Sequence, residues 1–185
     1  MAEPQKSRPA PVGKMVLFTA ATAPTLEEAG MMDEPTYSDP SANEAPWPKE
    51  FAQRSMAASR LTVPFRQEGP GGFSLVTVEF GPGFLLPRHS HSSDCLYYVV
   101  AGQIVMGKRV LGPGDGFFLP ADQPYLYRAG PEGVKLLEFR HQAAFDMKIY
   151  EKDMARYRAE AEASLQGTRA GTSVPEQCPG DADRI

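Results

Sequence analysis

Residues 83–102 read GFLLPRHSHSSDCLYYVVAG, and this stretch indicates the fold class. Two of the three histidines in the chain, His89 and His91, lie two residues apart in it. Because successive side chains of a strand project from opposite faces, both imidazoles would share one face of a strand. A serine-rich turn then leads into an apolar strand that begins at Cys95 and is expected to end at Gly102. Two imidazoles on one wall of a β-barrel, with a third candidate ligand on the next strand, can hold a divalent metal ion.

Glycine and proline interrupt the chain at short intervals on both sides of this stretch. Between about residues 59 and 141, short apolar runs alternate with turn signals such as Gly112-Pro113-Gly114. The 18 prolines and 17 glycines among 185 residues argue against a helical bundle. Many short strands with turn signals between them are typical of a β-sandwich or a β-barrel, and we predict a fold of this class.

Composition excludes several classes of partner. The chain has 19 basic and 23 acidic side chains, a net charge of −4 and no run of lysine and arginine, so we expect no nucleic acid partner. No apolar run approaches the roughly 20 residues that span a membrane, and residues 15–23 make a poor signal peptide because their apolar core is short. The two cysteines, Cys95 and Cys178, do not make a disulfide framework. We therefore predict a cytoplasmic protein with no membrane partner.

The spacing in the opening stretch resembles the first motif of the cupin superfamily, G-x5-H-x-H-x3-4-E-x6-G. Gly83, His89, His91 and Gly102 fill their positions in this motif, and Cys95 replaces its glutamate. The resemblance implies a double-stranded β-helix, which is the jelly-roll barrel of that superfamily. We therefore expect an all-β jelly-roll cupin barrel with an N-terminal arm and a C-terminal helix.

A second cupin motif, G-x5-P-x-G-x2-H-x3-N, is matched less completely. Gly114 and Pro120 fit it, but Asp122, Tyr125 and Ala129 stand where it has glycine, histidine and asparagine. The resemblance is therefore carried mainly by the first motif, and the histidine of the second motif is replaced by a tyrosine.

Metal-dependent cupins typically hold their metal with the two histidines and glutamate of the first motif and the histidine of the second. The resemblance therefore implies a divalent metal ion (Fe, Zn, Mn, Ni or Cu) at His89 and His91. Cys95, Tyr125, His141 or a water would complete the shell. Cysteine dioxygenases also have a cysteine in place of the glutamate, but they use a third histidine where this chain has tyrosine, so that interpretation is weakened. Two alternatives stay open, namely a pocket that binds a small molecule without metal, and histidines with a purely structural role.

Tyr125 and Cys95 are the candidate catalytic residues. A tyrosine hydroxyl can act as a general acid, and a cysteine thiol can act as a ligand or redox group where its pKa is lowered. Cys95 could equally be an apolar core residue, because free cysteines are commonly buried. Tyr97 and Tyr127 are the candidate substrate-binding residues, since with Tyr125 they would line a pocket with aromatic rings and hydroxyl groups.

The chain is expected to comprise four segments: a Pro-rich, partly disordered arm (1–54), a cupin barrel (55–145), a C-terminal helix (146–166) and a flexible tail (167–185). The apolar residues of the arm are expected to pack on the barrel or on a second copy. Residues 96–100 are apolar on both faces of their strand, which together with the resemblance predicts a homodimer. Glu138 and Arg140 are expected on the solvated outside, because charged side chains are rarely buried.

The leading functional hypothesis is a small-molecule metalloenzyme of the cupin type that acts at a site in the barrel. Oxygenase, lyase and isomerase chemistries all occur on this fold, so the reaction class stays open. The alternative is a metal-free, non-catalytic cupin in which the tyrosines and His91 bind a small polar molecule. Both hypotheses predict a small-molecule substrate or ligand.

Overall fold

A computed structural model describes residues 15–39, 49–69 and 71–166. The predicted flexible tail and the first 14 residues of the predicted disordered arm lie outside the described residues. No helix in the described ranges is long and apolar enough to cross a membrane.

Nine strands and two α-helices make up the described part of the chain, preceded by a short 3-10 helix at Ala20–Thr22. In chain order they are β1 (Thr36–Tyr37), α1 (Lys49–Ala57), β2 (Ser59–Arg66), β3 (Ser74–Phe80), β4 (His89–Ser90), β5 (Cys95–Met106), β6 (Arg109–Leu111), β7 (Gly116–Leu119), β8 (Arg128–Arg140), β9 (Lys148–Ile149) and α2 (Met154–Gln166).

The large sheet has the strand order β2-β3-β8-β5-β6, and β7 pairs with the first part of β5. A small sheet of order β1-β9-β4 lies beside it, and a bridge between His89 and Tyr125 extends its β4 edge. Neighbouring strands of the large sheet are antiparallel. This arrangement confirms the predicted all-β jelly-roll barrel with an N-terminal arm and a C-terminal helix.

The interior of the barrel is formed by alternate residues of the long strands. Burial follows a period of two along β3, where Ser74, Val76, Val78 and Phe80 are all buried. The inner face of β5 follows the same rule. Because residues directly opposite each other on antiparallel strands share a face, the register of these strands decides which side chains of β8 enter the barrel.

That register places Glu138 and Arg140 inside the barrel, so the expectation of a solvated pair is wrong. Glu138 lies opposite Val76 on one side and Tyr97 on the other, and all three are buried. Arg140 lies opposite the buried Ser74. The two charged side chains can occupy the interior because they form an ion pair, with Arg140 Nη1 at 2.6 Å from Glu138 Oε2.

β5 continues past the glycine that was expected to end it. Gly102 has a φ of +69°, and a side chain there would lie 2.2 Å from the carbonyl oxygen of Gly133 on β8. The pairing register between β5 and β8 shifts on both sides of this glycine. Glycine is therefore required here by a close approach inside an irregular strand pair rather than by a strand end.

The N-terminal arm packs on the barrel through its residues 24–33. Val63 N–H donates to the Pro24 carbonyl at 2.8 Å, and Met31 is completely buried in the core. Phe145, which follows β8, donates its N–H to the Met31 carbonyl at 3.0 Å. The arm and the segment after β8 therefore close the same part of the barrel.

The two helices pack together with the small sheet. α2 buries an apolar stripe of Met154, Tyr157 and Ala161, as its helical spacing predicts. The Asp153 carboxylate caps the helix by accepting from the Arg156 N–H at 2.9 Å. The predicted boundary of this segment at residue 146 is too early, because β9 precedes the helix. α1 was not predicted, since only Phe51 is buried along it and no apolar stripe marks it.

Candidate functional site

The two histidines of the H-x-H pair lie inside the barrel beside Tyr125. His89 and Tyr125 exchange both backbone hydrogen bonds at 2.9 Å, so their side chains project from the same face. His89 is 2% exposed and His91 is 7% exposed. Both imidazoles and the Tyr125 side chain therefore lie close together inside the barrel.

Both imidazoles are held at Nδ1 by backbone carbonyl groups. His89 Nδ1 lies 2.7 Å from the Pro87 oxygen, and His91 Nδ1 lies 2.5 Å from the Asp146 oxygen. A carbonyl oxygen can only accept a hydrogen bond, which assigns the ring proton of each neutral imidazole to Nδ1. The Nε2 atom of each ring then has a free lone pair directed into the barrel.

Both histidines are neutral at pH 7. Burial, together with the neighbouring His91, lowers the pKa of His89 to about 4. Burial and the charge of Arg140 lower the pKa of His91 to about 4 as well. Because metal ions bind the neutral imidazole, the lowered pKa values keep both rings in the ligand form.

The Tyr125 hydroxyl lies between the two Nε2 atoms. Its oxygen is 2.9 Å from His89 Nε2 and 3.4 Å from His91 Nε2. Burial and the charge of Glu138 raise the pKa of Tyr125, so the phenol keeps its single proton. That proton is donated to the nearer nitrogen, on His89, which leaves His91 Nε2 without this donor.

A chain of hydrogen bonds connects Tyr125 to the buried ion pair. Arg140 Nη2 donates to the Tyr97 hydroxyl at 3.3 Å, and the Tyr97 and Tyr125 oxygens lie 2.5 Å apart. Since Tyr125 uses its proton on His89, Tyr97 is the donor between the two phenols. Burial and the charge of Glu138 raise the pKa of Tyr97 too, so every member of the chain keeps its proton.

The ion pair at the end of this chain is the most buried charged group in the described residues. Burial alone would lower the pKa of Arg140, but Glu138 together with Tyr97, Cys95 and Tyr125 outweighs it and raises that pKa above its ordinary value. The guanidinium also lies 4.0 Å above the ring centre of Phe145, which in turn packs edge-on against His91 at 5.2 Å. These contacts connect the charge of Arg140 to both imidazoles.

Cys95 lies on the inner face of β5, two residues before Tyr97, and is completely buried. Burial and the charge of Glu138 raise the pKa of its thiol to about 12. The group is therefore a protonated thiol at neutral pH, whereas a nucleophile or metal ligand of this type acts as the thiolate. A catalytic role for Cys95 stays a prediction.

The predicted substrate-binding tyrosines lie beside Tyr125. Tyr97 stacks on Phe117 with ring centres 4.4 Å apart, and Tyr127 lies 6.2 Å from Tyr125. Both are almost completely buried. His141 is not part of this group, because it follows Arg140 on the opposite face and lies exposed against Phe73.

Within the described ranges, no three His, Cys, Asp or Glu side chains form a group that could hold a metal ion. In the described part of the chain, the Tyr125 hydroxyl is the oxygen that lies within hydrogen-bond distance of both Nε2 atoms. Sequence reasoning missed Glu138 and Arg140 as parts of the site. The signal available for them was the alternation of β8, where both residues continue the apolar face of Val134 and Leu136.

Comparisons with known proteins found partial similarities to solved structures. No family model and no curated protein matches the chain. Among solved structures it is similar to KdgF from Halomonas sp., with 25% identity and a TM-score of 0.40, over 46% of this chain and 80% of KdgF. It is also similar to a cupin-2 domain from Rhodospirillum rubrum, with 21% identity and a TM-score of 0.43, over 60% of this chain and 80% of that domain.

A further similar structure is the DMSP lyase DddQ from Ruegeria pomeroyi DSS-3, with 22% identity and a TM-score of 0.43. The match covers 54% of this chain and about half, 52%, of DddQ. The jelly-roll topology and the inward-facing H-x-H pair at the spacing of the first motif decide the assignment. The chain has a cupin-like jelly-roll fold. Its departures from the cupin pattern, Cys95 and Tyr125, are both buried in this barrel.

Proposed function

We propose that this cupin binds a small-molecule substrate in its barrel and acts on it with a divalent metal ion held by His89 and His91. The observation that carries the proposal is the orientation of the two rings. Each Nδ1–H is held by a backbone carbonyl, and each Nε2 lone pair faces the same hydroxyl group. Histidines that bind metals usually have their second ring nitrogen held in this way.

Tyr125 is the third protein ligand in this proposal. Its oxygen lies next to both Nε2 atoms, and its phenol would lose its proton on coordination, so metal uptake should strengthen as pH rises. Nitrogen and oxygen donors suit Zn, Fe, Mn, Ni and Cu ions. The bound metal would polarise a substrate oxygen, which is compatible with oxygenase, lyase and isomerase chemistry.

The test is metal content per chain by elemental analysis, on protein purified without chelator and on protein reconstituted with each metal. We expect about one ion per chain, lost in His89→Ala and His91→Ala and reduced in Tyr125→Phe. His141→Ala is the matched control and should keep the ion, because His141 is exposed outside the barrel. Absence of metal from reconstituted wild-type protein, or its loss from the control alone, would contradict the proposal.

A second candidate function is small-molecule binding without metal. It is favoured by the 2.9 Å contact in which the Tyr125 hydroxyl already satisfies His89 Nε2. In this case the Tyr125 oxygen and His91 Nε2 accept hydrogen bonds from the ligand, and Tyr97 and Tyr127 form its aromatic surroundings. Ligand affinity that survives chelator treatment but falls in Tyr125→Phe would favour this function over the first.

We also propose that the cupin is a homodimer, located in the cytoplasm as its sequence predicts. The outer face of the large sheet carries exposed apolar side chains at Leu96 (48%), Tyr98 (46%) and Phe118 (60%). Leu96 lies opposite both Phe118 and Phe139 in the sheet, so the apolar residues form a continuous row. An exposed row of this kind commonly marks an interface.

Light scattering coupled to size exclusion would test the dimer. The wild-type mass should be twice that of one chain, and Phe118→Asp should give the monomer mass. Met56→Asp, at a 71% exposed apolar position on α1, is the control and should stay dimeric. A monomeric wild type would overturn this part of the proposal.

A further inference from the structure

Two hydrogen-bond donors on the inner wall of the barrel have no partner among the described residues. They are Arg140 Nε and Ser74 Oγ. Ser74 is completely buried and Arg140 is 1% exposed. The two residues lie directly opposite each other on β3 and β8, so both side chains project from the same inner face.

These donors are adjacent to the candidate metal site. Arg140 reaches Tyr97 through Nη2 at 3.3 Å, and Tyr97 lies 2.5 Å from the Tyr125 hydroxyl between the imidazoles. Phe145 contacts both the Arg140 guanidinium and His91. A molecule bound at Arg140 and Ser74 would therefore lie close to His89 and His91.

The chemistry of the two donors specifies the missing partner. An arginine N–H can only donate, and a serine hydroxyl donates readily to an oxygen acceptor. Buried polar groups are nearly always hydrogen-bonded, so two unpartnered donors in register indicate a site for acceptor oxygens. Because Nη1 and Nη2 of Arg140 already donate to Glu138 and Tyr97, the Nε–H group and the Ser74 hydroxyl are the two donors left for the two oxygens of a carboxylate.

We propose that Ser74 and Arg140 bind the carboxylate of a small organic acid, which is the substrate class of this cupin. The inference rests on the proposed function for its charge balance. Arg140 is already neutralised by Glu138, and both imidazoles are neutral, so a bound divalent cation offsets the added negative charge. Metal and carboxylate therefore bind cooperatively at neighbouring positions.

Acetate is the probe, and the Arg140 Nε–H resonance in ¹⁵N–¹H NMR spectra is the readout. In zinc-loaded protein we expect acetate to shift this resonance with saturation, and acetamide, its neutral counterpart, to bind at least tenfold more weakly. Ser74→Ala and Arg140→Lys should weaken acetate binding, followed by isothermal calorimetry, at least tenfold. Ser93→Ala is the matched control, because Ser93 Oγ is also buried without a partner in the described residues but lies outside the β3–β8 pair.

The possible outcomes separate this inference from the proposed function. If zinc binds and acetate binds equally well to wild type and Ser74→Ala, the carboxylate lies on the metal and the inference is overturned. If acetate leaves the Arg140 resonance unchanged, the two donors serve only a buried water and the inference is likewise overturned. If zinc fails to bind, the proposed function fails by itself, and Ser74-dependent acetate binding to metal-free protein still supports the carboxylate site.

Discussion

The two faces of β5 have opposite characters although their residues alternate along one strand. On the inner face, Cys95, Tyr97 and Val99 are completely buried. On the outer face, Leu96, Tyr98 and Val100 are 48%, 46% and 41% exposed. The inner tyrosine belongs to a chain of hydrogen bonds that ends at the imidazoles, whereas the outer one lies in an apolar row. Tyr97 and Tyr98 are neighbours of the same residue type. The face that each occupies decides whether it joins the polar site or the exposed apolar row.

The largest expected effect is the loss of stability in acid, and it concerns the imidazoles at the end of the hydrogen-bond chain that the inner face of β5 joins. His89 and His91 have pKa values lowered to about 4 in the folded protein, against about 6.5 when unfolded. Unfolding therefore takes up protons below pH 6.5, and stability that is complete above pH 6.5 is lost as the pH falls toward 4. The two histidines together account for roughly 5 kcal/mol of this loss.

Denaturant unfolding at a series of pH values would measure this dependence. In His89→Gln the slope of unfolding free energy between pH 4 and pH 6.5 should be about half that of the wild type. An unchanged slope in the variant would show that the imidazoles are not buried in neutral form.

The next largest effect is expected for the charged pairs on the two faces of β8. Arg140→Met leaves the Glu138 charge buried without its partner, which should lower the unfolding free energy by about 3–5 kcal/mol. Lys135 makes the corresponding outer pair with Glu79 at 2.7 Å and is half-exposed, so Lys135→Met should cost at most about 1 kcal/mol. Equal losses in chemical denaturation would contradict the distinction between the faces.

The smallest expected effect concerns a single hydroxyl group on each face. Tyr97→Phe removes the donor to Tyr125 and the acceptor from Arg140, and it should destabilise the protein by about 1–3 kcal/mol. Tyr98→Phe changes an exposed position and should stay within about 0.5 kcal/mol of the wild type. Thermal and chemical unfolding of both variants would check this, and a larger loss in Tyr98→Phe would reverse the comparison.

Sequence patterns predicted much of the barrel and the polar centre of the site. Local alternation alone places His89 and His91 on one face and Cys95, Tyr97 and Val99 on another shared face, so these two groups could be inferred. The motif spacing added Tyr125. These residues needed no knowledge of which strands pair.

Glu138, Arg140 and Ser74 were not predicted as site residues, and the reason is physical. Alternation shows which residues share a face, but it does not show whether that face points inward. The pairing of β8 with β3 and β5 decides this, and it joins residues that are far apart in the chain. α1 was missed because a single buried residue, Phe51, gives no helical pattern.

The hydrogen-bond chain in the barrel begins with a group that can only donate and ends with one that can only accept. Arg140 donates to Tyr97, Tyr97 to Tyr125, Tyr125 to His89, and His89 to the Pro87 carbonyl. Such a chain has a single arrangement of its protons, unlike a run of hydroxyl groups that can reverse. It therefore acts as a fixed dipole with its negative end facing Arg140, and it cannot carry a proton from His89 back toward that residue. A proton taken up at the imidazoles must therefore leave by a path other than this chain.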